Sequence, residues 1–437
     1  MTINKGQKLW IKAKKIIPGG GMLLSKRSEM FLPDIWPAYY SKAKGCEIWD
    51  LEKNHYFDLS LMGVGTNILG YCNDEVDKTV QSVILSGNMS TLNCPEEVQL
   101  AELLIDMHSW SDMVRLARTG GEANAIAVRI GRAASGKDGV AICGYHGWHD
   151  WYLSVNHNEN DGLSDHLLPG LSTAGVPKNL KNTTFPFKYN DYESLKKIVE
   201  QESIGVIKME VYRNETPKDN FLGKVRDLAT KKNIVLIFDE CTSGFRQSYG
   251  GLHKVFNIDP DIAIYGKALG NGYAITAILG RKEIMEAAQN SFISSTFWTE
   301  RIGPSAAIKT LNIMRNTKSW EVISQKGKLI KKKWNDIFLK YNLSVSITGI
   351  DALPAFSFNS KYNLEYKTFI TQEMLKKGYL AGTSIYLSTA HTNEIINTYL
   401  IEFEEIIEKI GSIEENGLKI EDLLDGPVCH SGFQRLN

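Results

Sequence analysis

Two kinds of segment alternate regularly along residues 74–280, and this alternation is the strongest constraint on the fold. Helix-like stretches such as DEVDKTVQSVIL at 74 and GEANAIAVRIGRAA at 121 are separated by short β-rich runs such as NIVLIFDE at 233. Strands that alternate with helices in this way form a mainly parallel sheet covered by helices. The sequence therefore predicts an α/β domain over this part of the chain.

The rest of the sequence predicts a smaller domain that draws on both chain ends. The run CEIWDLEKNHYFDLSL at 46 is typical of two antiparallel strands about a turn, and longer helices with two strand-like runs follow residue 303. A chain of 437 residues exceeds what one hydrophobic core usually organises. We therefore expect a large domain at 63–310 and a smaller α+β domain built from 1–62 and 311–437.

The charge balance and the lack of long apolar runs exclude several classes of function. Fifty Lys and Arg residues match fifty Asp and Glu residues, so no net field attracts nucleic acid or an anionic membrane. No apolar run approaches the roughly 20 residues of a membrane span, and the six cysteines show no CxxC spacing. The sequence predicts a cytoplasmic protein with reduced thiols that acts on small molecules.

Polar residues follow three of the apolar runs, and an open α/β sheet binds its ligands beyond such strand ends. Asp239 closes the run NIVLIFD, and Lys267 follows DIAIYG and precedes a glycine-rich turn. Thr119, Gly120 and Gly121 follow MVRLAR and open a predicted helix, whose free N–H groups suit a phosphate. A lysine nucleophile, a carboxylate and an anion-binding turn are the parts of a pyridoxal 5'-phosphate (PLP) site.

Each part has a role in that interpretation. Lys267 would form the Schiff base, Asp239 would keep the pyridine nitrogen protonated, and the glycine turn would bind the phosphate. Tyr145, at the end of VAICGY, would place an aromatic ring against the cofactor, with His146 beside it. Glu240 competes with Asp239 for the carboxylate role, because both follow the same run.

These residues lie in ordered motifs in which the chain resembles the class III aminotransferases, and within them proteins similar to glutamate-1-semialdehyde aminomutase. The resemblance covers most of the chain, from about residue 18 to about residue 390. Its motifs are ILGY at 68, TGGEA at 119, YHG at 145, FDECTSGFR at 238, YGKALGNGY at 265 and STFWTERIGP at 295.

The resemblance implies fold type I, with a large domain on a mainly parallel seven-stranded sheet and a smaller α+β domain. It implies the same roles for Lys267 and Asp239, and a homodimer with shared active sites. Thr296 would be a phosphate ligand donated across the dimer interface. Glu210 and Asn214, in MEVYRNE at 209, match the family's loop beside the cofactor.

Two departures from the aminomutase pattern bear on the reaction. Aminomutases carry a glutamate in a short loop before the segment that here reads YLSTAHT at 386, whereas YLAGTSI at 379 leads into it directly. Their substrate-binding arginine is replaced by Lys26 or Arg27 in GMLLSKRSEM at 21. These departures favour an aminotransferase with ping-pong half-reactions, whose amine donor and small carbonyl acceptor the sequence leaves open. The alternatives are an aminomutase and, in another class, a non-catalytic PLP-binding or assembly protein.

Some of these residues also admit simpler interpretations. Without its partner motifs, Lys267 would be a solvated surface lysine, and Asp239 would be a helix cap or a member of a buried ion pair. Cys143, His146 and His149 form a C-x2-H-x2-H pattern, but no second pair follows at zinc-site spacing. We therefore expect no metal site.

Overall fold

The structure, a computed structural model, describes residues 4–157, 170–212 and 214–436. The chain divides into two compact units. One unit is formed by residues up to 73 and from 322 onward, and the other by residues 74–321. The domain bounds expected from the sequence, 63–310 for the large domain and 1–62 with 311–437 for the smaller one, remain a prediction. Among the described residues, no helix is both long enough and apolar enough to cross a membrane.

The strands and helices of the described residues are numbered in chain order. The strands are β1 (Tyr40–Lys44), β2 (Glu47–Asp50), β3 (His55–Leu59), β4 (Met113–Ala117), β5 (Gly139–Cys143), β6 (Thr184–Pro186), β7 (Ile204–Glu210), β8 (Val235–Asp239), β9 (Ile262–Tyr265), β10 (Thr276–Gly280), β11 (Val345–Thr348), β12 (Ala355–Phe358) and β13 (Tyr379–Ala381). The α-helices are α1 (Lys5–Ile16), α2 (Met62–Gly65), α3 (Asp74–Ser86), α4 (Pro95–Met107), α5 (Gly120–Ser135), α6 (Asp150–Leu153), α7 (Tyr192–Gln201), α8 (Phe221–Lys232), α9 (Lys282–Met285), α10 (Ile302–Thr317), α11 (Ser319–Lys340), α12 (Asn363–Lys376) and α13 (Asn393–Glu415).

The unit at 74–321 is built, in its described residues, on a seven-stranded sheet with the order β4-β10-β9-β8-β7-β5-β6. The strands β9, β8, β7, β5 and β6 run parallel, and β10 lies antiparallel between β4 and β9. This confirms the mainly parallel seven-stranded sheet that the resemblance implied. The parallel arrangement brings the carboxyl ends of β5, β7, β8 and β9 to one edge, where such sheets bind ligands.

Burial on both faces explains why the central strands are nearly all apolar. Every residue of β5, β7, β8, β9 and β10 is buried, as expected of strands covered by helices. Helix α5 packs Ile126 and Ile130 against a core that includes Val206, Ile237 and Ile264 of the sheet. Each such side chain contributes about 1.5–3 kcal/mol when fully buried. This core therefore fixes the strand ends that carry the polar residues.

The other unit contains, in its described residues, a four-stranded sheet with the order β1-β2-β3-β13 and the hairpin β11-β12. The strands predicted after residue 46 correspond to β2 and β3, which are antiparallel. Asp50 holds their turn, because its Oδ1 accepts hydrogen bonds from the N–H groups of Glu52 and Asn54. Strand β13 adds in parallel to β3, so segments distant in the sequence complete one sheet.

Candidate active site

The carboxyl ends of β7 and β8 place two acidic residues side by side. Glu210 and Asp239 are the last residues of these strands and are paired in the parallel register. Asp239 also pairs with Ile264 of β9, and Lys267 begins a 3₁₀ turn just beyond that strand. The two strand ends predicted to carry Asp239 and Lys267 are therefore neighbours at one edge of the sheet.

Asp239 is a buried carboxylate with donors on both oxygens. Its side chain is 4% exposed, Oδ1 accepts from the Cys241 N–H at 3.1 Å, and Oδ2 accepts from His146 Nδ1 at 2.9 Å. Lys208 Nζ lies 3.7 Å from the same Oδ2. Burial alone would raise the pKa of Asp239, but the charge of Lys208 and the hydrogen bond from His146 hold it well below its usual value. Asp239 therefore keeps its negative charge.

His146 connects Asp239 to an aromatic cluster. The histidine is fully buried, and its ring centroid lies 6.4 Å from that of Trp151 and 5.7 Å from that of Tyr152. Burial and the nearby charge of Lys208 lower the pKa of His146, so the neutral ring donates through Nδ1 to Asp239. The sequence predicted His146 beside the cofactor, and the structure places it where it orients the carboxylate.

Lys267 lies in a strained turn. Its φ is 41°, a left-handed conformation that costs a residue other than glycine about 1–3 kcal/mol and is common at functional sites. Its Nζ donates to Thr242 Oγ1 at 2.7 Å. A Cβ on Gly266 would lie 3.0 Å from Thr276 and 3.4 Å from Cys241 Sγ, so the turn packs closely on the loop after β8. Thr242 was not predicted as a site residue, although it lies in the FDECTSGFR motif.

The amino terminus of α5 presents backbone donors close to this turn. Thr119 and Glu122 form a capping box, in which Thr119 Oγ1 accepts from the Glu122 N–H and Glu122 Oε2 accepts from the Thr119 N–H at 2.8 Å. The N–H groups of Gly120 and Gly121 precede the first intrahelical bonds and can bind an anion. A Cβ on Gly120 would lie 3.7 Å from Cys241 Sγ, the sulfur that packs on the lysine turn. The three predicted strand ends thus meet.

The YHG turn follows β5 and contacts both the end of β7 and the start of α5. The Tyr145 N–H donates to Glu210 Oε2 at 3.1 Å. Gly144 has a φ of 114°, and a Cβ there would lie 2.5 Å from the same oxygen, so only glycine fits. A Cβ on Gly147 would lie 3.1 Å from Gly121 Cα. Tyr145 and Glu210 are therefore brought to the predicted phosphate turn.

Two predicted residues lie apart from this cluster. Asn214 is exposed in the segment after β7. Thr296 is also exposed, in a 3₁₀ turn that Arg118 holds by donating to the carbonyl of Trp298 at 2.9 Å. No contact between described residues joins Asn214 or Thr296 to the cluster, so their roles stay a prediction.

Lys26 and Arg27, the candidates for meeting a substrate, belong to the other unit. Lys26 is exposed. Arg27 Nη1 donates to the carbonyl of Gln434 at 3.1 Å, and its guanidinium carbon lies 5.5 Å from the ring centroid of Phe433. The segment near the carboxyl terminus therefore binds Arg27.

Comparison with known proteins points to one family. The family model described as aminotransferase class-III matches residues 33–416. The chain is 32% identical over 429 residues to 3-aminobutyryl-CoA aminotransferase of Cloacimonas acidaminovorans, and the matched region covers 93% of this chain and 99% of that protein. It is 29% identical over 432 residues to glutamate-1-semialdehyde 2,1-aminomutase of Aquifex aeolicus, and the matched region covers 93% of this chain and 100% of that protein.

Solved structures share the fold. The FumI protein of Sphingopyxis sp. superposes with a TM-score of 0.85 at 24% identity, covering 96% of this chain and 99% of that one. An omega-transaminase from Sphaerobacter thermophilus superposes with a TM-score of 0.82 at 19% identity, covering 93% and 97%. These likenesses concern the fold and confirm the fold type I architecture. Because the family model spans most of its length, the chain belongs to the class-III aminotransferases.

Proposed function

We propose that the protein is an aminotransferase that moves an amino group from an amine donor to a small carbonyl acceptor by ping-pong half-reactions, with PLP on Lys267. The observation that carries the proposal is the meeting of Lys267, Asp239 and the amino terminus of α5 at one sheet edge. These residues fit PLP, because they offer an amine for its aldehyde, a buried carboxylate for its ring nitrogen and backbone N–H groups for its phosphate.

The surroundings of each residue support its task. PLP, when bound, supplies a ring that accepts electrons. The amine of Lys267, which donates a hydrogen bond to Thr242, would bind PLP. The donor amine would then displace it, and the released amine of Lys267 would transfer a proton. Asp239 would hold a proton on the ring nitrogen. The N–H groups of Gly120 and Gly121 would bind the phosphate.

Other predicted residues would act around this centre. The exposed ring of Tyr145 would lie against the cofactor ring, and Glu210 fixes the backbone of the same turn. Thr119 caps α5, and His146 orients the carboxylate of Asp239, so both would support the cofactor through their neighbours.

The departures from the aminomutase pattern favour an aminotransferase, since an aminomutase would keep its substrate bound through both half-reactions. After β13 the chain turns at once, and Ser384 forms a bridge to Ala355. The stretch from 382 to 391 is short and has no glutamate. Membership of an enzyme family and the presence of both Lys267 and Asp239 support an enzyme over a non-catalytic protein.

A screen of amine donors and carbonyl acceptors that follows the visible absorption of the bound cofactor tests the proposal. The first amines compared are 3-aminobutyryl-CoA and glutamate-1-semialdehyde, after the names of the two relatives. An aminotransferase is expected to lose its visible band with a donor alone, to release an equal amount of carbonyl product, and to recover the band with an acceptor. Isomerisation without released carbonyl would identify an aminomutase. No spectral change with any amine would contradict both.

The proposed active unit is a cytoplasmic homodimer with shared sites. Thr296 is flanked by Phe292 and Phe297, whose side chains are 87% and 70% exposed, and large exposed apolar groups mark interaction surfaces. Arg118 anchors this segment by donating to the carbonyl of Glu300 at 2.8 Å. The segment is therefore held to its own unit while its apolar side chains and Thr296 are exposed to a second subunit.

Substitution of Thr296 by alanine is expected to weaken PLP retention roughly 10- to 150-fold, the effect of losing a hydrogen bond to a charged phosphate. Mixing this variant with Lys267→Ala gives the sharper measurement. If the sites are shared, each heterodimer has one site with both defects and one with neither, so activity reappears on subunit exchange. Thr299→Ala is the control, because Thr299 lies in the same exposed turn and donates only to the carbonyl of Thr296 in the described structure. Mixing that restores nothing would exclude shared sites.

A further inference from the structure

A lysine is buried in the sheet one strand away from Asp239. Lys208 lies within β7 and is 0% exposed. Its register partners are Ile142 of β5 and Ile237 of β8, and Val206 lies on the same face of its own strand. All three belong to the apolar core covered by α5. An apolar residue would suit this position, and a fully buried lysine is rare.

The charge of Lys208 is directed at the Asp239 carboxylate. Nζ lies 3.7 Å from Asp239 Oδ2, and it has no hydrogen-bond acceptor among the described residues. The other titratable groups that face it are His146 after β5, Glu210 on its own strand and Cys241 after β8. Burial lowers the pKa of Lys208, and Asp239 is the largest influence that raises it. The ammonium group therefore depends on this carboxylate.

Stability does not account for the pair. Packed apolar residues in place of a buried ion pair are often neutral or stabilising. Asp239 also has its hydrogen bonds without the lysine, from the Cys241 N–H and from His146. What Lys208 adds is a positive charge beside Asp239. In the proposed function, Asp239 is the residue that binds the ring nitrogen of PLP.

We propose that Lys208 is a positioning residue of the cofactor site, whose buried ammonium group weakens the hold of Asp239 on the proton of the PLP ring nitrogen. The inference rests on the proposed function, which gives Asp239 that nitrogen. A cation beside a carboxylate lowers its basicity and repels a second cation. Lys208 thereby sets how far the ring nitrogen is protonated, and so how strongly the ring draws electrons.

The NMR resonance of PLP labelled with nitrogen-15 in the ring, followed in the loaded protein from neutral to alkaline pH, tests this inference. Lys208→Met removes the charge and keeps a long side chain. The titration midpoint of the ring nitrogen in this variant is expected to rise by about one pH unit, because a unit charge that repels the ring proton has been removed from a protein interior of effective dielectric constant about 20. Lys254→Met is the control. Lys254 lies in the same unit and donates to the carbonyls of Met107 and Tyr249, so its loss should leave the midpoint unchanged.

An unchanged midpoint in folded Lys208→Met would overturn the inference. If that variant does not fold, the wild-type protein decides the matter through the NMR resonance of PLP labelled with nitrogen-15 in the ring. The resonance is expected between the protonated and unprotonated values of free PLP, and a fully protonated value would overturn the inference. The proposed function fails instead if the wild-type protein shows no visible band and borohydride attaches no cofactor to Lys267. The two failures are therefore distinguishable.

Discussion

Alanine in place of Lys267 is expected to abolish borohydride labelling and to lower turnover by more than roughly 10⁴-fold. Borohydride reduces a carbon–nitrogen double bond, so the cofactor becomes permanently attached to the lysine that carried it. Proton transfer by a positioned amine is alone worth roughly 10²- to 10⁴-fold, and the variant also loses the covalent attachment. Peptide mapping of the label and the rate of the donor half-reaction measure the two losses.

The backbone at this position makes alanine an informative replacement. The φ of Lys267 is 41°, and alanine meets the same left-handed strain as lysine. The substitution therefore changes the chemistry with little change in backbone strain. Lys254→Ala, in the same unit, should keep both label and turnover. A label recovered on another lysine, or normal rates in Lys267→Ala, would contradict the role given to Lys267.

The sequence located the strand ends, but it did not reveal the contacts between them. Asp239 and Lys267 could be placed because buried apolar runs stop at polar residues, and parallel strand ends share one edge. The hydrogen bond from His146 to Asp239 could not be predicted. The histidine follows β5, which lies two strands from β8 in the sheet order, and that order depends on long-range packing.

Two residues show other limits of sequence reasoning. In the run IGVIKME, Lys208 interrupts an apolar pattern, and a lysine there is most simply interpreted as solvent-facing. It is buried because α5 covers its face of the sheet. Thr296 differs from Lys208 in that it is exposed within its own chain. Its proposed role depends on a second subunit, which neither periodicity nor composition can specify.

Asparagine in place of Asp239 is expected to slow the amine half-reaction roughly 10²- to 10³-fold, the effect of about 3–4 kcal/mol of lost charge stabilisation in the transition state. An amide has no negative charge with which to hold the ring proton. The substitution also removes the counterion of Lys208, whose Nζ lies 3.7 Å from Oδ2. Rapid mixing with a donor, followed by the visible absorption, measures the rate.

The hydrogen bonds of Asp239 decide how that variant must be interpreted. Oδ1 accepts from the Cys241 N–H and Oδ2 from His146. An asparagine NH₂ group therefore meets a donor on one side, or forces His146 to move its proton to Nε2. Some loss of stability is expected for this reason alone. Asp261→Asn separates the two effects, because Asp261 precedes β9 at the opposite edge of the sheet and accepts from the Leu236 N–H at 2.8 Å. That control should lose stability but keep its rate, and if Asp239→Asn behaves in the same way, Asp239 is a structural residue.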